Sequence, residues 1–245
     1  MDILDASMAD SLWIGLIIGL ASLVQSLTGF GFALVAVSLL PFFMELQLAV
    51  SLVIAVGLIS NIVLWWYHRD SFEWSRVIHL SMASLVTIPV GVIGLRHVPE
   101  HLALQGLGLL VLAFVVYSLL QLSLPELTSR PWAYAFGAAS GVLTGAFNVG
   151  GPPVVIYANC NQWSPQQFKG NIPGVLCVMS SGAIATHLWQ GDFNSALMTQ
   201  VSCALPFFIT GLVLGIWLSK YIDASTFRQA VLLLLGAMGL KLLML

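Results

Sequence analysis

Long uncharged runs of apolar residues constrain this chain more than any other feature of its sequence. Only 7% of its 245 residues are charged, whereas a soluble domain carries about 25% charged residues. A helix that spans a membrane needs about 20 apolar residues. Eight apolar runs reach or approach that length, of which the first seven carry no Asp, Glu, Lys or Arg and the last contains only Lys241: Trp13–Phe43, Gln47–Tyr67, Val77–Leu95, Leu102–Leu122, Trp132–Gln162, Gly170–Gln190, Ser195–Leu218 and Gln229–Leu245. The pattern predicts an all-α integral membrane protein that crosses the inner (plasma) membrane several times.

Two of these runs, Trp13–Phe43 and Trp132–Gln162, are too long for a single span. Each would measure about 45 Å as a continuous helix, against a hydrocarbon core of about 30 Å. Each also carries helix-breaking residues near its centre, at Thr28–Phe32 (TGFGF) and at Asn148–Pro153 (NVGGPP). Glycine allows a sharp turn and proline suits the first turn of a new helix. Each long run is therefore predicted to be a helix, a tip and a second helix.

The two broken runs resemble each other and suggest an internal repeat. Leu27–Gly29 matches Leu143–Gly145, Gly31 matches Gly150, and Gln47 matches Gln166. Each broken run is followed by three runs of single-span length. The chain is therefore predicted to have two pseudo-symmetric halves, residues 1–122 and 123–245, each with a broken hairpin and three transmembrane helices.

The distribution of basic residues bears on how the broken runs cross the membrane. If each run crosses once, three cations lie on one side and four on the other. If each run is re-entrant and leaves by the face it enters, six cations share one side, and only Arg96 lies opposite, or Arg96 and Lys241 if the last span is counted. Because cytoplasmic loops are enriched in Lys and Arg, the second alternative is favoured, although both stay open. The six cations are Arg69, Arg76, Arg130, Lys169, Lys220 and Arg228.

The layout and its motifs resemble the sulfite exporter TauE/SafE family of membrane transporters. The similarity rests on Gly29–Phe32, on Gly150–Val155 with Tyr157, and on Lys169–Asn171. This chain has Gly-Gly-Pro where the family often has three glycines. The resemblance implies transport, often export, of small anions such as sulfite and organosulfonates.

The residues at the two tips are candidates for anion binding, because a helix start carries free N–H donors and a partial positive charge. The predicted substrate-binding residues are Gln25, Thr28, Gly31, Thr144, Asn148, Gly150, Gly151, Lys169 and Asn171. Asn148 is the leading candidate, since its amide can donate to a sulfonate oxygen, although it could also serve as a helix cap.

Other candidates also have a purely structural interpretation. Thr28 and Thr144 could bond back to their own helix, and Lys169 could be an interfacial anchor. His187 is a candidate proton relay because it is ionisable and lies near the end of a span, but its position beside Trp189 and Gln190 favours an interfacial histidine.

The sequence shows no pattern that indicates an enzyme, a cofactor or a metal site. Cys160, Cys177 and Cys203 lack metal-type spacing, and no nucleophile–base motif occurs. The net charge of −2 gives no reason to expect a nucleic acid partner. The expected partners are a small anion and the lipid bilayer, and homo-oligomer formation is left open. The alternatives to a transporter are an anion channel and a membrane assembly subunit that transports nothing.

Overall fold

The computed structural model describes residues 2–120, 125–127, 129–221 and 224–244, so the predicted boundary between residues 122 and 123 lies outside the described residues. These ranges confirm the all-α prediction, since they contain ten α-helices and no strand. The helices are α1 (Asp2–Thr28), α2 (Phe32–Leu39), α3 (Leu46–Tyr67), α4 (Trp74–His97), α5 (Glu100–Leu120), α6 (Arg130–Phe147), α7 (Gly151–Cys160), α8 (Pro165–Gln190), α9 (Ser195–Leu218) and α10 (Ala224–Leu243).

Both long apolar runs are interrupted. Gly29–Gly31 separates α1 from α2, and Asn148–Gly150 separates α6 from α7. Gly29 and Gly31 have φ values of 85° and 102°, and Asn148 has a φ of 56°. Glycine reaches this left-handed region without steric cost, and asparagine enters it more readily than most residues. The residue types at the breaks thus match the backbone that ends each first helix. These two segments are called the first break and the second break below.

Six helices of the described chain contain segments long and apolar enough to cross a membrane: Ser11–Thr28 of α1, and α3, α4, α5, α8 and α9. Their outward side chains include Val86 and Leu109, which are 76% and 64% exposed. Large exposed apolar side chains are unfavourable in water but are favourable in contact with lipid tails. The exposed surface of these helices is therefore suited to the bilayer.

Glycines let the first helix of each broken run approach a partner helix closely. Gly137, Gly141 and Gly145 repeat every four residues along α6 and face α4, and a Cβ atom at Gly145 would lie 2.1 Å from the carbonyl oxygen of Ile88. On α9, a Cβ at Gly211 would lie 2.1 Å from the Gly19 carbonyl oxygen of α1. Small residues drive such close packing where lipid removes the hydrophobic contribution. Helices α1 and α6 are thus each packed against a helix from the other half of the sequence.

Contacts between loops define the two ends of the bundle. At the end called here the Trp13 end, Trp13 stacks on Phe43 with ring centroids 6.2 Å apart, and the Leu46 N–H donates to Glu100 Oε1 at 2.9 Å. At the opposite end, called the Lys169 end, the Gln167 amide donates to Glu73 Oε1 at 2.7 Å.

The α4–α6 packing predicts a strong difference between two glycine-to-alanine variants. Gly145→Ala should lower the free energy of unfolding by about 1–3 kcal/mol, because its methyl group has no room beside Ile88. Gly94→Ala on α4 is the matched control, since a Cβ there meets no atom within 4 Å, and alanine favours the helix. Thermal unfolding in detergent, followed by size-exclusion fluorescence, measures both. Equal melting temperatures for the two variants would contradict the glycine packing described here.

Candidate functional site

The two breaks line a single internal cavity, although they lie far apart in the sequence. The first break and the start of α2 contribute Phe30 to Leu34, and the second break and the start of α7 contribute Asn148, Val149, Gly151 and Pro152. The remaining walls come from α1, α3, α6 and α8. The enclosed space is about 30 Å³, which is room for about two water molecules. The lining residues are Gln25, Phe30, Gly31, Phe32, Ala33, Leu34, Gly57, Asn61, Thr144, Asn148, Val149, Gly151, Pro152, Leu176, Met179 and Ser180.

Two helix starts face this cavity. The N–H groups of Phe32, Ala33 and Leu34 belong to the first turn of α2, so no carbonyl of that helix accepts from them. At the start of α7, the second and third residues are Pro152 and Pro153, which have no N–H. The start of α2 therefore supplies more backbone donors than the start of α7, although the sequence analysis named both tips as candidates.

Asn148 ends α6 and also reaches the cavity. Its N–H donates to the Thr144 carbonyl at 2.8 Å, and its left-handed backbone turns the chain out of the helix. Its side chain makes no hydrogen bond to another described residue and keeps 8% exposure, at the cavity wall. The amide nitrogen lies 3.3 Å from the position that a Cβ would take at Gly57. The backbone of Asn148 thus ends a helix, as the capping interpretation expects, while its side-chain amide has no partner among the described residues. That amide therefore stays a candidate for anion binding.

A hydrogen-bonded network of neutral side chains forms another wall of the cavity. The Gln25 amide donates to Asn61 Oδ1 at 2.7 Å, and the Asn61 amide donates to Ser180 Oγ at 3.3 Å. Ser60 Oγ donates to Gln25 Oε1 at 2.9 Å. The network joins α1, α3 and α8. Sequence reasoning missed Asn61 and Ser180 as site residues, and the only signal for Asn61 was an amide inside an otherwise apolar span.

The predicted glycines and threonines of the breaks take different positions. Gly31, Thr144 and Gly151 line the cavity. Gly150 does not line it but packs tightly, because a Cβ there would lie 2.0 Å from Thr144 Oγ1. Thr28 is also outside the cavity and bonds to its own backbone, donating to the Val24 and Phe30 carbonyls at 2.9 and 2.6 Å.

Lys169 and Asn171 do not line this cavity. The fully buried Asn171 accepts a hydrogen bond from the Glu73 N–H at 2.7 Å and so fastens the α3–α4 loop to α8. Lys169 is exposed at the Lys169 end, in a separate pocket with His68 and Lys220. Burial and the nearby charge of Lys169 both lower the pKa of His68, so this imidazole is neutral at pH 7.

His187 also lies away from the cavity. Its Nδ1 is 2.7 Å from Asp192 Oδ2, and Asp192 is paired with Arg96 as well. Burial raises the pKa of the Asp192 carboxyl, but hydrogen bonds and charges from Arg96 and His187 outweigh burial and hold that pKa below its ordinary value. The histidine therefore belongs to an ionic cluster at the Trp13 end, and its relay role stays a prediction.

A multi-pass helical membrane protein with a polar cavity between two interrupted helices has the architecture that secondary transporters use. The chain belongs to the sulfite exporter TauE/SafE family, whose sequence profile matches residues 14–242. This match confirms the resemblance seen in the motifs.

Two curated relatives are similar to the chain. The first is the probable sulfite/organosulfonate exporter TauE of Cupriavidus necator, 23% identical over 93% of this chain and 91% of its own length. The second is the probable inner membrane transporter protein TsaS of Comamonas testosteroni, 31% identical over 45% of this chain and 47% of its own length. No solved structure matches the chain.

The Asp192 cluster predicts a pH-dependent contribution to stability. Asp192→Asn should lower the free energy of unfolding at pH 7 by about 1–3 kcal/mol, because it removes charge-assisted hydrogen bonds. Because the native pKa is lowered, this stabilisation is complete above the ordinary value of 3.8 and is lost as the pH falls through the native pKa. Thermal unfolding of wild type and variant across this pH range measures the difference.

Asp70→Asn is the matched control, since its side chain is 98% exposed and only loosely paired with Arg69. It should match wild type at every pH. A gap between Asp192→Asn and wild type that widens in acid would contradict the assigned ion pairs.

Proposed function

We propose that this protein is an inner-membrane exporter of a small sulfur-containing anion, such as sulfite or an organosulfonate, which it binds between the two helix breaks. The observation that carries the proposal is the convergence of both breaks on one cavity, which is lined by the first residues of α2 and by Asn148. The names of the C. necator and C. testosteroni relatives support the substrate class and the inner membrane, respectively.

The cavity suits an anion through neutral groups. No charged side chain among the described residues lines it, so the positive potential comes from the helix starts, each equivalent to about half an elementary charge. The Asn148 amide adds a side-chain donor beside the backbone N–H groups. A binding site without a fixed cation holds an anion moderately and lets it leave, which transport requires.

The lack of acidic residues in the membrane-spanning runs favours export without a coupled proton. The uncharged runs contain no carboxylate, so the usual Asp or Glu proton carrier is missing from them. An inside-negative membrane potential drives an anion outward with about 2.3 kcal/mol per charge for every 100 mV. The potential alone is therefore sufficient to drive export.

Binding requires the breaks to separate. A sulfonate group is larger than the two water molecules that the cavity can hold. Gly31 has a left-handed backbone conformation and precedes the short helix α2. Rotation about the Gly31 backbone would move α2 and widen the cavity. The anion thus enters a narrow site that widens as the first break turns.

We further infer that both broken runs are re-entrant and that the two halves have opposite topology. The Gln162 amide, after α7, donates to Glu126, before α6, at 2.5 Å, which supports a second run that begins and ends at one face. The stacking of Trp13 on Phe43 supports the same for the first run. The matched packing of α1 on α9 and of α6 on α4 supports related halves.

Side-selective labelling tests this topology. In a chain without its three native cysteines, Glu126→Cys and Gln162→Cys should be labelled from the cytoplasm, because the cations of that end face inward. Glu45→Cys should be labelled from the outside. Impermeant maleimide on intact cells and on everted vesicles gives the measurement. Labelling of positions 126 and 162 from opposite faces would refute the re-entrant second run.

Substitution of Asn148 tests the proposed site. Asn148→Gly keeps the left-handed backbone but removes the amide, so the half-saturation concentration for transported anion should rise about tenfold, the loss of one hydrogen bond to a charged group. Asn148→Asp keeps the size but adds a negative charge, and should abolish flux. Flux into proteoliposomes is measured with sulfite, thiosulfate, sulfoacetate, taurine and isethionate.

Asn159→Ala is the control, because Asn159 bonds the Tyr117 hydroxyl at the periphery and lies outside the cavity. It should transport as wild type does. Normal flux through Asn148→Asp would show that the site is elsewhere, and no flux of any anion through wild type would reject the transporter itself.

A further inference from the structure

A second pocket lies on the other side of the first break from the cavity. It has a volume of about 200 Å³, and its polar lining residues include Ser26, His68, Lys169 and Lys220. Gly29 also lines it, whereas Phe30 and Gly31 line the cavity. The tip of the first break is therefore the wall between the two spaces. This second pocket is called the basic vestibule.

Among the described residues, the lysines of the basic vestibule have no acidic partner. Lys169 comes from the start of α8, and Lys220 follows α9. Neither ammonium group forms an ion pair with a carboxylate in the described ranges. The acids nearest in sequence to His68 pair with arginines instead: Asp70 with Arg69, and Glu73 with Arg76. Two lysines from distant parts of the sequence thus line one polar pocket.

We propose that the basic vestibule is a second anion-binding site, which captures the sulfur-containing anion at the Lys169 end before it passes the first break into the cavity. This inference rests on the proposed function and adds a step to it. The ammonium groups of the two lysines offer the donors that an oxyanion needs, and the volume of about 200 Å³ accepts a partly hydrated ion.

The two sites would have different physical characters. In the vestibule, exposed lysines attract the anion over a distance, which raises its local concentration and weakens with added salt. In the cavity, neutral donors bind it at short range. Changes in the vestibule should therefore alter the half-saturation concentration at one face of the membrane only. Changes in the cavity should alter transport from both faces.

The experiment compares everted and right-side-out membrane vesicles that contain the full chain, with sulfite and isethionate as probes. Lys169→Gln and Lys220→Gln should each raise the half-saturation concentration at the vestibule face about fivefold at low ionic strength, as one unit charge at about 4 Å in water would. The maximal rate from the vestibule face, and half-saturation from the opposite face, should not change. Lys169→Arg and Lys220→Arg should retain the wild-type value.

Arg130→Gln is the matched control, because it removes a cation from the same end without touching the vestibule. If the lysine variants raise half-saturation no more than Arg130→Gln does, the vestibule is rejected while the proposed function stands. If the lysine variants lower only the maximal rate, the vestibule is also rejected, because a lower maximal rate at unchanged half-saturation indicates a structural role for the lysines. If the wild-type protein transports neither sulfite nor isethionate, the proposed function and the vestibule are both rejected.

Discussion

Unpaired backbone groups cannot face lipid tails, and the rest of this structure depends on how the two breaks are kept away from them. The glycines of α6 bring α4 within contact of its backbone, and Gly19 and Gly211 do the same for α1 and α9. Because the helices approach so closely, each broken run is held by a helix of the other half. The breaks then face each other across a cavity, where polar backbone is tolerated.

Under the proposed function, this arrangement separates the groups that attract an anion from those that hold it. The described cavity is lined by neutral residues, among them the Gln25–Asn61 pair and Asn148. The lysines stand beyond the first break at the Lys169 end. Under the proposed function, fixed charge acts where the anion arrives and neutral donors act where it must be released. A permanent ion pair inside the cavity would oppose release.

The sequence was sufficient for the helices, the breaks and the family, because apolar run length, glycine and proline act locally. It also pointed to Asn148, whose left-handed backbone requires a residue of this type. It could not show that Asn171 turns towards Glu73 or that Asn61 meets Gln25. Those contacts join residues distant in sequence and depend on helix rotation, which apolar runs with little amphipathic character leave unspecified.

The central claim, that the two breaks form one anion site, is tested most directly by locating a bound anion. Selenite has the shape and charge of sulfite, and its selenium scatters X-rays anomalously. Crystals grown with selenite should show an anomalous peak within hydrogen-bond distance of the Asn148 amide and of the first N–H groups of α2, with the two breaks farther apart than in the empty protein. A peak that contacts only one break, or none, would contradict the account.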